Sequence, residues 1–164
     1  LLVDADLRKG KLERYFAVAK SPGLSEVLAG EHAFDDAVQR GKLQETLDFL
    51  PAGVYSPNPS ELLMSEAFKR LLETVKGQYD LVIIDTPPIL AVTDPAIVAQ
   101  YASTNFMVLR AGQHPLREIQ IAFRRFEQNG VHIKGAIFNG IEVAKGRYGG
   151  QYGYRYYGYS YSAK

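Results

Sequence analysis

Tyr79-Asp80-Leu81-Val82-Ile83-Ile84-Asp85-Thr86-Pro87-Pro88 is the stretch that decides the fold. Leu81 to Ile84 is a continuous apolar run, β-branched at three of its four positions. A run that short and that apolar predicts a strand buried on both faces, the habit of a central parallel strand. Asp85 ends it, followed by Thr86 and two prolines that cannot continue a hydrogen-bonded ladder. In open α/β sheets, ligands collect outside the carboxyl ends of the strands. Asp85 is therefore expected where a ligand would sit, although an acidic residue here would equally serve to cap a turn.

The first ten residues, Leu1-Leu2-Val3-Asp4-Ala5-Asp6-Leu7-Arg8-Lys9-Gly10, repeat the pattern of an apolar strand ending in acid. Alternation predicts Asp4 and Asp6 on one side of an extended segment. Two like charges so placed repel unless a cation lies nearby. Mg²⁺ takes carboxylate, water and phosphate oxygens, so acids on two neighbouring strand ends suit the rim of a Mg²⁺-nucleotide site. Arg8 and Lys9 add positive charge for phosphates. The competing reading is a solvated Asp–Arg surface turn.

Outward from these two strands, the chain alternates helices and strands. Ser25 is placed to N-cap a short helix closing at Gly30. A second short helix, Phe34 to Val38, stops near Gly41, and Leu47 to Leu50 reads as a strand. Asn58, Pro59 and Glu61 make a helix start. Leu63, Ala67, Leu71 and Val75 then continue at helical spacing to a stop at Gly77. Asp94-Pro95 opens a helix through Gln100, Asn105 to Leu109 is a strand, Pro115 begins a helix ending at Gly130, and His132 to Phe138 is the last strand. The order predicts an α/β fold, a parallel sheet flanked by helices. His32, His114 and His132 show no metal-ligand spacing.

At 164 residues, with 46% hydrophobic and 23% charged residues, the chain has the composition of a globular domain able to bury a core. It has no Cys, which excludes disulfide frameworks and thiolate metal sites and fits a reducing compartment. No apolar run is long enough to span a bilayer. Leu1 already lies inside an apparent strand, so the chain is expected to be a fragment with its N-terminal part missing.

The net charge of +1 is unevenly spread. Residues 145–164 hold Lys145, Arg147, Arg155 and Lys164 and no acid, leaving the rest of the chain at −3. That last segment also carries Tyr148, Tyr152, Tyr154, Tyr156, Tyr157, Tyr159 and Tyr161, seven of the eleven tyrosines. Rich in glycine and lacking aliphatic residues, it is expected to be a flexible tail, since burial cannot offset the cost of ordering it. Phenolic hydroxyls can accept phosphoryl groups, and aromatic faces can stack on bases.

With these pieces in place the chain resembles the bacterial tyrosine kinases of capsule and exopolysaccharide export, the cytoplasmic domains of Wzc-type polysaccharide co-polymerases. Residues 1–10 look like that family's second Walker motif, called A-prime, and residues 81–88 look like its Walker B. Asn58-Pro59-Ser60-Glu61-Leu62-Leu63 and the tyrosine cluster also match. The resemblance implies a P-loop NTPase-like fold of the deviant Walker group, with residues 1–144 as the C-terminal part of a kinase domain. It implies ATP and Mg²⁺ as cofactors, and transfer of the γ-phosphoryl to the seven tail tyrosines of a neighbouring copy. Asp85 would hold Mg²⁺ through water; Asp4 would orient and deprotonate the tyrosine hydroxyl; Asp6 would support the metal or the acceptor; Asn139 would contact the adenine. The implied partners are further copies in a homo-oligomeric ring with tails docking in trans, and a low-molecular-weight tyrosine phosphatase. The membrane enters through a missing N-terminal transmembrane part, which places the domain on the cytoplasmic face of the bacterial inner membrane. No nucleic-acid partner is implied.

Two departures stand out. No G-x-x-x-x-G-K-[ST] occurs, so the Walker A loop is expected upstream of Leu1 and the chain by itself is expected to be inactive. Many Gram-negative members carry a regulatory tyrosine after the A-prime glycine; here Lys11 stands there, and Tyr15 is the nearest tyrosine. Two other readings remain open. One is a non-kinase deviant-Walker ATPase of the partitioning type, which would have no reason for a tyrosine tail. The other is a nucleic-acid-binding module stacking the tail's Tyr and Arg on bases, against which the body is acidic.

Overall fold

The computed structural model of the chain describes residues 1–141, and only the backbone of Leu43. The first half runs β1 (Leu2–Asp4), α1 (Leu12–Phe16), α2 (Leu24–Ala29), α3 (Phe34–Ala37), β2 (Gln39–Gln44) and β3 (Leu47–Leu50). The second half runs α4 (Pro59–Leu63), α5 (Glu66–Gln78), β4 (Ile83–Asp85), α6 (Asp94–Ala99), β5 (Phe106–Arg110), α7 (Leu116–Gln128) and β6 (Gly135–Asn139). β1 lies between β3 and β4 and is parallel to both. β2 folds back antiparallel on β3, giving the order β2-β3-β1-β4. β5 and β6 form a separate parallel pair.

The expected α/β parallel sheet flanked by helices is thus present, with an antiparallel strand added at one edge. β2 is a strand that the sequence reading leaves out. Its residues, Gln39-Arg40-Gly41-Lys42-Leu43-Gln44, lack an apolar face, and the hairpin is held instead by polar contacts. Asp48 accepts from Tyr79 Oη at 2.8 Å and from the Gly41 N–H at 2.9 Å, and it pairs with Arg40.

The main core gathers Val3, Leu24, Leu50, Leu63, Phe68, Leu71 and Val75. α5 contributes Phe68, Leu71 and Val75, spaced to fall on one helical face. A smaller core of Ile89, Ala96, Ala99, Ala122, Phe126 and Val131 joins α6 to α7.

Four local expectations are corrected. Leu81 to Ile84 is not buried on both faces: Leu81 is 66% and Ile83 53% exposed, while Val82 and Ile84 pack on the core. The reason is that Leu81 and Ile83 point to one side of the strand and Val82 and Ile84 to the other, and the core covers only the second side. Ser25 does not cap α2; Gly23 does, and Glu26 reaches back to its N–H. The single helix expected over residues 59–77 is two, because Ser65 caps a new start by accepting from the Phe68 N–H and donating to the Leu62 carbonyl. Gly77 lies inside α5, which ends at Gln78.

Candidate active site

β1 and β4 end side by side. In their parallel register Asp4 stands opposite Asp85, and the Ala5 N–H donates to the Asp85 carbonyl at 2.9 Å. The strand stops at Asp4, so the expected alternation with Asp6 does not persist. The chain instead turns around its own carboxylates. Asp4 Oδ1 accepts the Asp6 N–H at 3.1 Å and its Oδ2 accepts the Leu12 N–H at 3.2 Å. Asp6 Oδ1 accepts the N–H groups of Arg8 and Lys9 at 3.1 and 2.9 Å, and the Gly10 N–H closes the turn on the Asp6 carbonyl at 2.7 Å. Only glycine fits at position 10, where a Cβ would lie 2.7 Å from Asp4 Oδ2 and 2.6 Å from the Asp6 carbonyl.

The three acids differ in access. Asp4 is fully buried, Asp6 half-buried and Asp85 exposed. Burial pushes the Asp4 carboxyl up to about 6, against the two backbone N–H groups that favour its charge; the charges of Asp85 and Asp6 push the same way as burial. Asp85 is raised as well, first by the protein packed around its carboxylate and then by the charge of Asp6, with the Thr86 N–H opposing. The groups thus repel one another across the strand ends, which a cation would relieve. Among the described residues no three side chains converge as a metal cage. Mg²⁺ binds with one or two carboxylates and keeps waters and phosphate oxygens for the rest, so Asp6 and Asp85 suit that ion.

The supports of these loops are not marked by any motif in the sequence. Asp94, at the start of α6, is fully buried and bonded to Arg8 and Ser60. Arg125 of α7 donates to the carbonyls of Ile89 and Leu90, holding the loop that leaves Asp85. The only available signal was the type of residue; nothing in the spacing pairs Arg8 with a partner 86 positions away. Asn139 ends β6 opposite Arg110, and its Oδ1 accepts the Gly140 N–H at 2.8 Å. It therefore lies at a carboxyl strand end, but in the other sheet from the three aspartates. The tail tyrosines, Tyr148, Tyr152, Tyr154, Tyr156, Tyr157, Tyr159 and Tyr161, lie outside the described residues.

Parallel strands that end in paired carboxylates, flanked by helices, fit the class that the resemblance implies, an α/β domain of the P-loop NTPase-like, deviant Walker group. Comparison with known proteins narrows this. The family profile described as an AAA domain matches residues 1–114. The tyrosine-protein kinase wzc of Salmonella typhimurium is 43% identical over 163 residues, which are 99% of this chain and 22% of that protein. Among solved structures, the kinase domain of the Escherichia coli tyrosine kinase ETK superposes with a TM-score of 0.83 at 43% identity, over 93% of this chain and 59% of that one. The VpsO kinase domain does so at 0.80 and 35% identity, over 86% of this chain and 70% of that one. The chain belongs to the AAA-domain family and, within it, to the bacterial tyrosine-protein kinases. It spans about a fifth of the length of the curated relatives it matches.

Proposed function

We propose that residues 1–144 are the C-terminal part of the catalytic domain of a protein-tyrosine autokinase and that residues 145–164 are its acceptor tail. The reaction moves the γ-phosphoryl of ATP to tail tyrosines of a neighbouring copy, and it regulates capsule or exopolysaccharide polymerisation and export. The observation that carries the reading is the register of Asp4 against Asp85, with Asp6 turned back beside them, in a chain 43% identical to a named tyrosine kinase.

When bound, Mg²⁺ would supply charge neutralisation for the phosphates; Asp6 and Asp85, the two carboxylates with access to solvent, would hold it, Asp85 through water. The phenol oxygen attacks the γ-phosphorus as the bond to the bridging oxygen breaks, and the phenol proton passes to a carboxylate. A phenol has a pKa near about 10, so that carboxylate acts by orientation and late proton transfer. Asp4 is the proposed proton acceptor; both of its oxygens accept backbone N–H groups from the turn after β1, which fixes their direction. Asn139 is proposed for the adenine. The triphosphate cradle is absent from these 164 residues. We propose it on a segment before Leu1, and the edge of β4, last in its sheet, is open to such a segment. Further copies, a tyrosine phosphatase and the cytoplasmic face of the inner membrane complete the proposal.

The test is phosphotyrosine mapping of the full-length protein with Mg²⁺-ATP. Wild type should label within residues 148–161, and Asp85→Asn should lose about a hundredfold or more in rate while remaining folded. ATP hydrolysis without tyrosine labelling would favour the partitioning-type ATPase and overturn the kinase reading.

A further inference from the structure

Arg8, Ser60 and Asp94 come from three distant parts of the chain and close one hydrogen-bonded ring. Arg8 Nε donates to Asp94 Oδ2 at 2.7 Å and its Nη2 donates to Oδ1 at 3.1 Å. The same Nη2 donates to Ser60 Oγ at 2.9 Å, and Ser60 Oγ donates to Asp94 Oδ1 at 2.7 Å. Asp94 has no accessible surface, and among the described ion pairs it is the only acid so enclosed. A helix start needs no more than a surface cap. A buried, doubly bonded carboxylate at the head of α6 does more than that, since its bidentate geometry fixes direction as well as distance.

The ring sits where backbone pairing runs out. Beyond the bond from Ala5 to Asp85, no described backbone hydrogen bond joins the turn after β1 to the loop after β4. The Arg8–Asp94 pair is the polar tie that remains between the two, with Ser60 of α4 bracing it. The tie also reaches a candidate catalytic group: the Arg8 N–H donates to Asp6 Oδ1, so holding the guanidinium holds the amide that aims the Asp6 carboxylate. The three acids of the site repel one another, and this turn and this loop would otherwise be free to separate.

We propose that the Arg8–Ser60–Asp94 ring is a positioning latch, which keeps the turn carrying Asp6 and the loop leaving Asp85 in a fixed relation for phosphoryl transfer. The inference rests on the kinase reading above, and it makes Arg8, Ser60 and Asp94 positioning residues that act through Asp6 and Asp85. Misplacing reacting groups by about 1 Å costs roughly a hundredfold in rate. Loss of the latch should therefore appear in kcat more than in KM.

The experiment compares wild type, Asp94→Asn, Arg8→Lys and the double variant in the full-length protein, each assayed well below its own melting midpoint. Asp94→Asn should lower kcat for tyrosine labelling about tenfold or more, with KM for ATP within about threefold. The double variant should be no slower than the worse single one, because the residues act as a unit. A kcat within about twofold of wild type for Asp94→Asn overturns the latch. Hydrogen exchange provides a readout independent of catalysis: the amides of Arg8 and Lys9 should exchange about tenfold faster in Asp94→Asn, with Val3 and Leu50 unchanged. Unchanged exchange at Arg8 and Lys9 overturns the latch whatever the kinase assay gives. Failure of wild type to label tyrosine removes the kinase reading and leaves the exchange result to decide whether the latch exists.

Discussion

Asp94 keeps its charge although none of its surface meets water. Burial alone would raise its pKa, but the hydrogen bonds from Arg8 and Ser60 outweigh this and hold it below the usual carboxylate range. The sign of the linkage follows. A lowered folded-state pKa contributes stability that is fully present above the unfolded value and is lost as pH falls through the folded one. Asp94→Asn should therefore destabilise by about 2–3 kcal/mol at pH 7, a figure reduced from that of a sealed pair because Arg8 is partly solvated. The gap from wild type should close below about pH 4. Urea titrations at pH 7 and pH 3 measure both, and an equal gap at the two values would contradict the assignment. Gly53 poses a backbone problem of the same scale. Its φ is +87°, and a Cβ there would lie 2.0 Å from Glu26 Oε2 and 2.2 Å from Ser25 Oγ. Gly53→Ala should destabilise by about 1–3 kcal/mol by displacing a carboxylate that accepts from Ser21, Ser25 and the Gly23 N–H. Thermal melting checks it.

The elements that carry the site are short. β1 and β4 span three residues each, so packing rather than ladder length fixes their ends. α4 and α5 show how one side chain divides an element. The apolar spacing from Leu63 to Val75 is continuous, yet Ser65 offers the backbone a competing pair of bonds, and the chain takes them. Ser65→Ala should cost about 1 kcal/mol by chemical denaturation. Phe68 lies three residues beyond that cap, fully buried and edge-on to Tyr101 at 5.6 Å. Phe68→Ala should cost about 3–5 kcal/mol, because it opens the core between α5 and the sheet. Urea midpoints should then rank wild type, Ser65→Ala and Phe68→Ala in that order.

At the scale of the molecule, several of the apolar residues left outside lie on or beside strands. Leu81 and Ile83 of the β4 segment, Phe106 and Val108 of β5, and Ile137 and Phe138 of β6 are each more than half exposed. If the segment before Leu1 covers Leu81 and Ile83, the 164-residue chain alone should bind an apolar dye more strongly than the full-length protein. Equal binding would remove that placement. Charge supplies a second test, of assembly. Residues 145–164 carry +4 beside a body at −3, and each phosphate adds about −1.5 to −2, so phosphorylation should convert attraction into repulsion. With all seven tail tyrosines changed to Phe the full-length protein should stay assembled, and with all seven changed to Glu it should fall towards monomer in analytical ultracentrifugation.

Residues 79–88 and 1–10 were enough to read the strand ends and the acids at them, because apolar runs that stop at carboxylates are local features; the family took residues 58–63 and the tyrosine cluster as well. The helix starts at Pro59 and Asp94 were legible for the same reason, being set by residues within a turn of each other. Access was not legible. Nothing in the sequence separates Asp4, Asp6 and Asp85 by exposure, and only the closing of residues 5–12 over Asp4 distinguishes a sealed carboxylate from two open ones. β2 escaped because its pairing is polar, and the exposure of Leu81 and Ile83 because it depends on which face of the strand the core covers. Asp94 read as a helix start, which it is, and is also the buried partner of Arg8 and Ser60. Side-chain partners that meet across 86 and 34 positions leave no period or spacing in a sequence; they exist only once the strands are laid side by side.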